Sequence, residues 1–117
     1  MADLRTGDAA ATRAVPPSAV VWISRRQAIV ATMGCDGRIS TREINRGLEA
    51  ELPYLALVVR AIGDRERVVI LGPSSIRLSL EREYVAVYRR PERLVDVEPA
   101  GALHAEELVG RLHALAS

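Results

Sequence analysis

The run Ala19-Val20-Val21-Trp22-Ile23-Ser24 constrains this chain more than any other segment. It is apolar without alternation, rich in β-branched residues and too short for a buried helix, the pattern of a strand covered on both faces. Such a strand belongs inside a sheet with helices packed on either side. At 117 residues and 49% apolar content, the chain has the length and the material for one domain of that kind. Aromatic residues are few, and Phe is absent, so the core has to be built mainly from Val, Leu, Ile and Ala.

The rest of the pattern supplies the partners of that strand. Arg25-Arg26 interrupts the first run, Gln27–Met33 reads as a second strand, and Gly34-Cys35-Asp36-Gly37 is a strong turn signal. Arg38–Ile44 fits a third strand at a sheet edge, and the short connections make these three antiparallel. The period then changes. Leu52, Leu55, Val58, Val59 and Ile62 fall at helical spacing, with Gly63 as the stop. Arg67–Leu71 is a short apolar strand of the central parallel kind. Gly72-Pro73-Ser74-Ser75 follows, and Ser74 or Ser75 is placed to cap a second helix whose Ile76, Leu80, Tyr84 and Val87 face the core. Pro91 prevents its continuation. Arg93–Val97 is a last strand, closed by Pro99 and Gly101, and a final helix carries Leu108, Leu112 and Leu115 on one face.

The order is β-β-β-α-β-α-β-α. The predicted fold is α/β, a three-layer ribonuclease H-like domain over residues 18–117 with a mixed five-stranded sheet. A doubly wound sheet would need a helix straight after the first strand. Residues 1–17 lack periodicity and end in Pro16-Pro17, so they read as a disordered tail. The first residues lead into no apolar stretch of the signal-peptide type, and no run approaches the roughly 18 residues needed to cross a bilayer. The expected location is cytoplasmic, with no membrane association.

Enzymes of this topology keep a metal-binding carboxylate on the first strand, because two hard cations need fixed oxygen ligands. Here that strand is apolar. Asp96 and Glu43 lie on other strands and do not make a site by themselves. Cys35, the one cysteine, excludes an intrachain disulfide and sits in a turn with no nearby His. His104 and His113, nine residues apart in the C-terminal helical region, point to different faces. The balance therefore leans away from an enzyme, and no cofactor is implied.

Binding chemistry is better represented. All 16 basic residues are Arg, a usage that fits either selection for planar guanidinium groups or the codon bias of a GC-rich genome. The net charge of +1 gives no global bias toward nucleic acid, so any basic surface has to be local. Arg25 and Arg26 in the first hairpin, with Arg38, Arg42 and Arg46 around the third strand, would form such a patch if hairpin and edge strand lie close. It would hold phosphates without reading sequence. A second candidate is the turn from Gly72 through Ser74 and Ser75, where a strand ends and a helix begins with its N–H groups free for an anion. Pro73 removes one of those donors. A third is self-association through the second helix, where Tyr84 and Tyr88 stand beside Val85 and Val87.

The segments VVWISRRQAIVATM, RVVILGPSS and EREYVAVYRRP resemble small bacterial relatives of the archaeal-eukaryotic peptide-chain release factor family, over roughly residues 19 to 98. The middle domain of that family has the ribonuclease H-like fold. The Gly-Gly-Gln of true release factors is absent, since the only Gln, Gln27, follows Arg26. The resemblance therefore implies a non-catalytic module associated with the ribosome, RNA or a protein partner. Its proposed contacts are Arg25, Arg26, Arg38 and Arg42, and the alternative is a small-molecule anion or nucleotide binder at Gly72–Ser75.

Overall fold

The computed structural model describes residues 15–116, so most of the expected N-terminal tail lies outside the described residues. Three strands come first: β1 (Ser18–Ile23), β2 (Gln27–Met33) and β3 (Ile39–Asn45). They are followed by α1 (Glu51–Ile62), β4 (Arg67–Gly72), α2 (Ile76–Tyr88), a single 3-10 turn at Pro91–Arg93, β5 (Leu94–Pro99) and α3 (Ala105–Ala116). The strands form one mixed sheet in the order β3-β2-β1-β4-β5. β1 pairs antiparallel with β2 and parallel with β4, β3 pairs antiparallel with β2, and β5 runs parallel to β4. The α/β class, the element order and the mixed five-stranded sheet are those predicted.

Strand β1 occupies the centre, and all six of its residues are buried. Side chains alternate across a strand, so its apolar run splits between two cores. Ala19, Val21 and Ile23 pack with α1 and α2 in one core. Val20 and Trp22 pack with Leu108 and Leu112 of α3 in the other. Strand β4 divides in the same way, Val68 and Ile70 on one side and Val69 and Leu71 on the other. The third helix is further held by Trp22, whose indole N–H donates to the Gly101 carbonyl at 2.8 Å, and by Arg67, which donates to the Leu115 carbonyl at 2.8 Å.

Two helical faces differ from their predicted registers. Leu52 is 64% exposed, and Tyr54 takes its place in the core. The buried set Tyr54, Leu55, Val58, Val59 and Ile62 is a tighter helical stripe than one beginning at Leu52, which overhangs the first turn. On α2, Val87 is 58% exposed, because the row Ile76, Leu80, Tyr84 turns inward and Val87 lies off it. Tyr84 is fully buried: its hydroxyl donates to the Gly63 carbonyl at 2.8 Å and accepts from the Arg65 amide at 3.1 Å. Tyr88 packs against it with ring centroids 4.8 Å apart. Tyr84 is thus a core residue, and any contact between copies on this side has to use Val87 and the exposed part of Tyr88. Neither Ser74 nor Ser75 caps α2 through its side chain. Ser75 already has helical backbone angles (φ −67°, ψ −8°), whereas a capping side chain needs an extended residue to reach back to the first free amides.

Candidate nucleic-acid interface

The β1–β2 hairpin turns on only two residues, Arg25 and Arg26. Two-residue hairpins usually need positive φ angles and hence Gly or Asn, but neither arginine has one. Ser24 makes the turn workable instead. Its hydroxyl oxygen accepts from the amides of Arg26 and Gln27, each at 3.2 Å, and its amide donates to the Gln27 carbonyl at 2.8 Å. This local closure leaves both arginine side chains outside. Both residues are exposed, and among the described residues neither guanidinium has a hydrogen-bond or ion-pair partner.

Beside the hairpin runs the connection from β3 to α1. Arg46 ties the two together. Its amide donates to the Arg26 carbonyl at 2.8 Å, Nη1 donates to the Arg25 carbonyl at 3.2 Å, and Nε donates to the Glu49 carbonyl at 2.7 Å. The guanidinium also lies over the Tyr54 ring, 5.7 Å from its centroid. Tyr54 in turn donates its hydroxyl hydrogen to the Ser24 carbonyl at 2.9 Å, so α1 is anchored to the root of the hairpin. Burial pushes the Tyr54 hydroxyl up to about 12, with the Arg46 charge pulling partly the other way. Between hairpin and connection lies an open groove of about 530 Å³, lined by Arg25, Arg26, Asn45, Arg46, Gly47, Leu48 and Glu49. Three guanidinium groups face one carboxylate there, and the groove is basic.

The other arginines named from the sequence do not gather at this point. Arg42 lies on β3 opposite Val30, about 13 Å along the strand from Arg46. Arg38 is at the far end of the sheet, roughly 23 Å from Asn45 by strand rise, where it pairs with Asp36 at 3.6 Å. The single five-arginine patch considered from the sequence is therefore not formed. Antiparallel geometry is the reason, since it sends the β1–β2 and β2–β3 turns to opposite ends of the sheet. Glu43 and Asp96 are likewise separated, on the two edge strands about 19 Å apart. Asp96 is raised by its hydrogen bond to Glu98, and Glu98 is lowered chiefly by Arg111, whose guanidinium lies 2.8 Å away.

Gly72–Ser75 does lie at the hairpin's end of the molecule. β1 and β4 are parallel neighbours, and Trp22 pairs with Leu71, so Ser24 and Pro73 leave adjacent strands side by side. A Cβ on Gly72 would stand 2.2 Å from the Ile23 carbonyl oxygen, which explains why the position has no side chain. Beyond it, Arg77 folds back to donate to the Ser74 carbonyl at 2.8 Å. The Ser74 hydroxyl and Arg77 Nε are buried without a hydrogen-bond partner among the described residues. Arg46 was named from the sequence as a member of the basic patch, and it does stand at the hairpin. Tyr54 and Leu48 are the parts of the site that the sequence pattern does not single out. The available signal was Gly47, two residues past the end of β3, followed by an apolar residue in a mostly polar connection.

No protein-family model and no curated protein matches the chain. Solved structures do. Pelota from Archaeoglobus fulgidus matches with a TM-score of 0.64 and 12% identity, over 92% of this chain and 34% of that one. Pelota from Thermoplasma acidophilum matches with a TM-score of 0.62 and 20% identity, over 91% of this chain and 35% of that one. The chain therefore has the fold of a segment of Pelota and spans about a third of the length of the two Pelota chains. Identities this low show the fold alone.

Proposed function

We propose that this domain is a non-catalytic, translation-associated module that binds RNA, with Arg25 and Arg26 as its phosphate contacts. The observation that carries the reading is the pair of unpartnered guanidinium groups on a two-residue hairpin, beside a basic groove. Paired arginines elsewhere, such as Arg111 with Glu98, already spend their charge within the protein, whereas these two are free to neutralise phosphate. The fold shared with Pelota supports the translational setting, and the apolar β1 supports a scaffold role.

Cosedimentation with ribosomes from a cell extract, released by moderate salt, is the expected behaviour. Reversing both charges (Arg25→Glu with Arg26→Glu) should abolish it. For isolated RNA, replacing both by Ala should make the slope of log affinity against log salt shallower by about 1.4, two phosphate contacts at about 0.7 each for single strands. Binding that survives the double charge reversal unchanged would show that the surface is wrong.

A second reading is favoured by the unpartnered Ser74 hydroxyl and Arg77 Nε beside the start of α2: a small anion or nucleotide held at Gly72–Ser75. Phosphate or a nucleotide present at 100 times its Kd would add about 2.7 kcal/mol of stability. A flat thermal-shift response to a panel of both removes this reading and leaves the first intact.

A further inference from the structure

The most exposed large apolar side chain in the described structure is Leu48, with a relative accessibility of 105%. It stands at the mouth of the groove, and the loop that carries it is pinned. Residues 46–49 form a tight turn closed by the Glu49 amide donating to the Arg46 carbonyl at 3.0 Å, with Gly47 supplying the positive φ of 58° at the first corner. Leu48 is the second corner. Arg46 fastens the turn to the carbonyls of Arg25, Arg26 and Glu49, and α1 begins immediately afterwards. A leucine held fully in water by this many bonds contributes nothing to the protein's own core.

Charge decides what kind of partner covers it. The side chain is flanked by Arg25, Arg26 and Arg46, with Glu49 as the one carboxylate lining the groove. An apolar point between guanidinium groups fits a ligand with an apolar face and an anionic edge, which is how a nucleobase and its phosphates are arranged. Apolar side chains enter nucleic acids by wedging against or between bases, and unpaired RNA offers its base faces without the cost of unstacking a duplex. We propose that Leu48 is a wedge for unpaired RNA: it packs on an exposed base while Arg25 and Arg26 hold the neighbouring phosphates. This rests on the RNA reading above and sharpens it, because phosphate contacts alone do not distinguish single strands from duplex.

The test uses the full chain, titrated by fluorescence anisotropy with a single-stranded oligouridylate and with a blunt duplex of the same length. The single strand should bind more tightly. Leu48→Ala should weaken its binding roughly tenfold, the loss expected for uncovering one large apolar side chain. The salt slope and the duplex affinity should stay unchanged. Leu48→Trp should restore or strengthen single-strand binding by stacking. Since the side chain touches nothing in the core, neither variant endangers folding. Equal affinity for duplex and single strand, or an unaltered Leu48→Ala, overturns the wedge. If the Arg25/Arg26 variants still lose binding in that case, the phosphate surface stands alone. If the wild-type protein binds neither RNA, the reading beneath it falls as well.

Discussion

Single residues set the limits of this structure where backbone and side chain compete for one space. Gly72 is the clearest instance. It closes β4 against β1, and a methyl group there would collide with a main-chain carbonyl that has no freedom to move. Gly72→Ala should therefore destabilise the domain by about 3 kcal/mol, the upper range for overpacking, read as a lower urea midpoint with an unchanged slope. Tyr54 gives a pH signature. Its folded-state pKa, about 12, lies above its ordinary value of 10, so between these the unfolded chain loses the proton first. Stability from this group is fully present below pH 10 and is lost as the pH rises toward 12. Tyr84 is displaced in the same direction by its burial. The denaturation midpoint should fall with pH in this window, and Tyr54→Phe should reduce that fall while lowering stability at neutral pH by about 1 kcal/mol through its lost bond to Ser24.

At the level of elements, much of the fold was legible because period and punctuation agreed. The span of β2 was read without error, Gly63 ends α1, and the apolar strands β1 and β4 are covered on both faces, as their lack of alternation required. What escaped the pattern was which residue of a helix begins its buried stripe. Leu52 and Tyr54 are both apolar enough to serve, but two residues apart they face nearly opposite sides of the helix, and only the rotation at which the helix docks on the sheet decides between them. The site was legible in part for a similar reason. Arg25-Arg26 is visible as a charged interruption between two strands, but grouping it with Arg38 required knowing which turn falls at which end. Strand β3 shows how an element can be useful and hazardous at once. As an edge strand it offers unpaired main-chain groups, and its exposed Arg42 and Glu43 are the charges that discourage another strand from pairing there. Replacing both by Val should raise the mass seen by light scattering with increasing concentration, while a monomer insensitive to the change would mean that the edge is guarded by something else.

For the molecule as a whole, the decisive feature is that the sheet is sealed on each face by a different part of the chain. α1 and α2 cover one face as crossover connections and cannot leave without breaking strand order. The other face depends on α3, which follows the last strand and is kept in place by two fully buried leucines, Leu108 and Leu112, together with the Trp22 and Arg67 contacts. Helix propensity alone would not keep a 12-residue helix folded, so α3 exists by virtue of this packing. Removing either leucine to Ala should cost about 3 kcal/mol. Removing both should cost about 6 kcal/mol, comparable to the whole stability of a domain at the lower end of the usual ~5–15 kcal/mol. The intermediate stages are informative, because the hairpin and groove lie where Arg46 and Tyr54 join them to α1, outside the α3 core. Leu112→Ala is therefore expected to lower the unfolding midpoint while leaving RNA affinity within twofold at temperatures where the protein is folded. A variant that stayed folded by near-ultraviolet circular dichroism yet lost RNA affinity in step with α3 would place the binding surface on that side of the sheet and not at the Arg25-Arg26 hairpin.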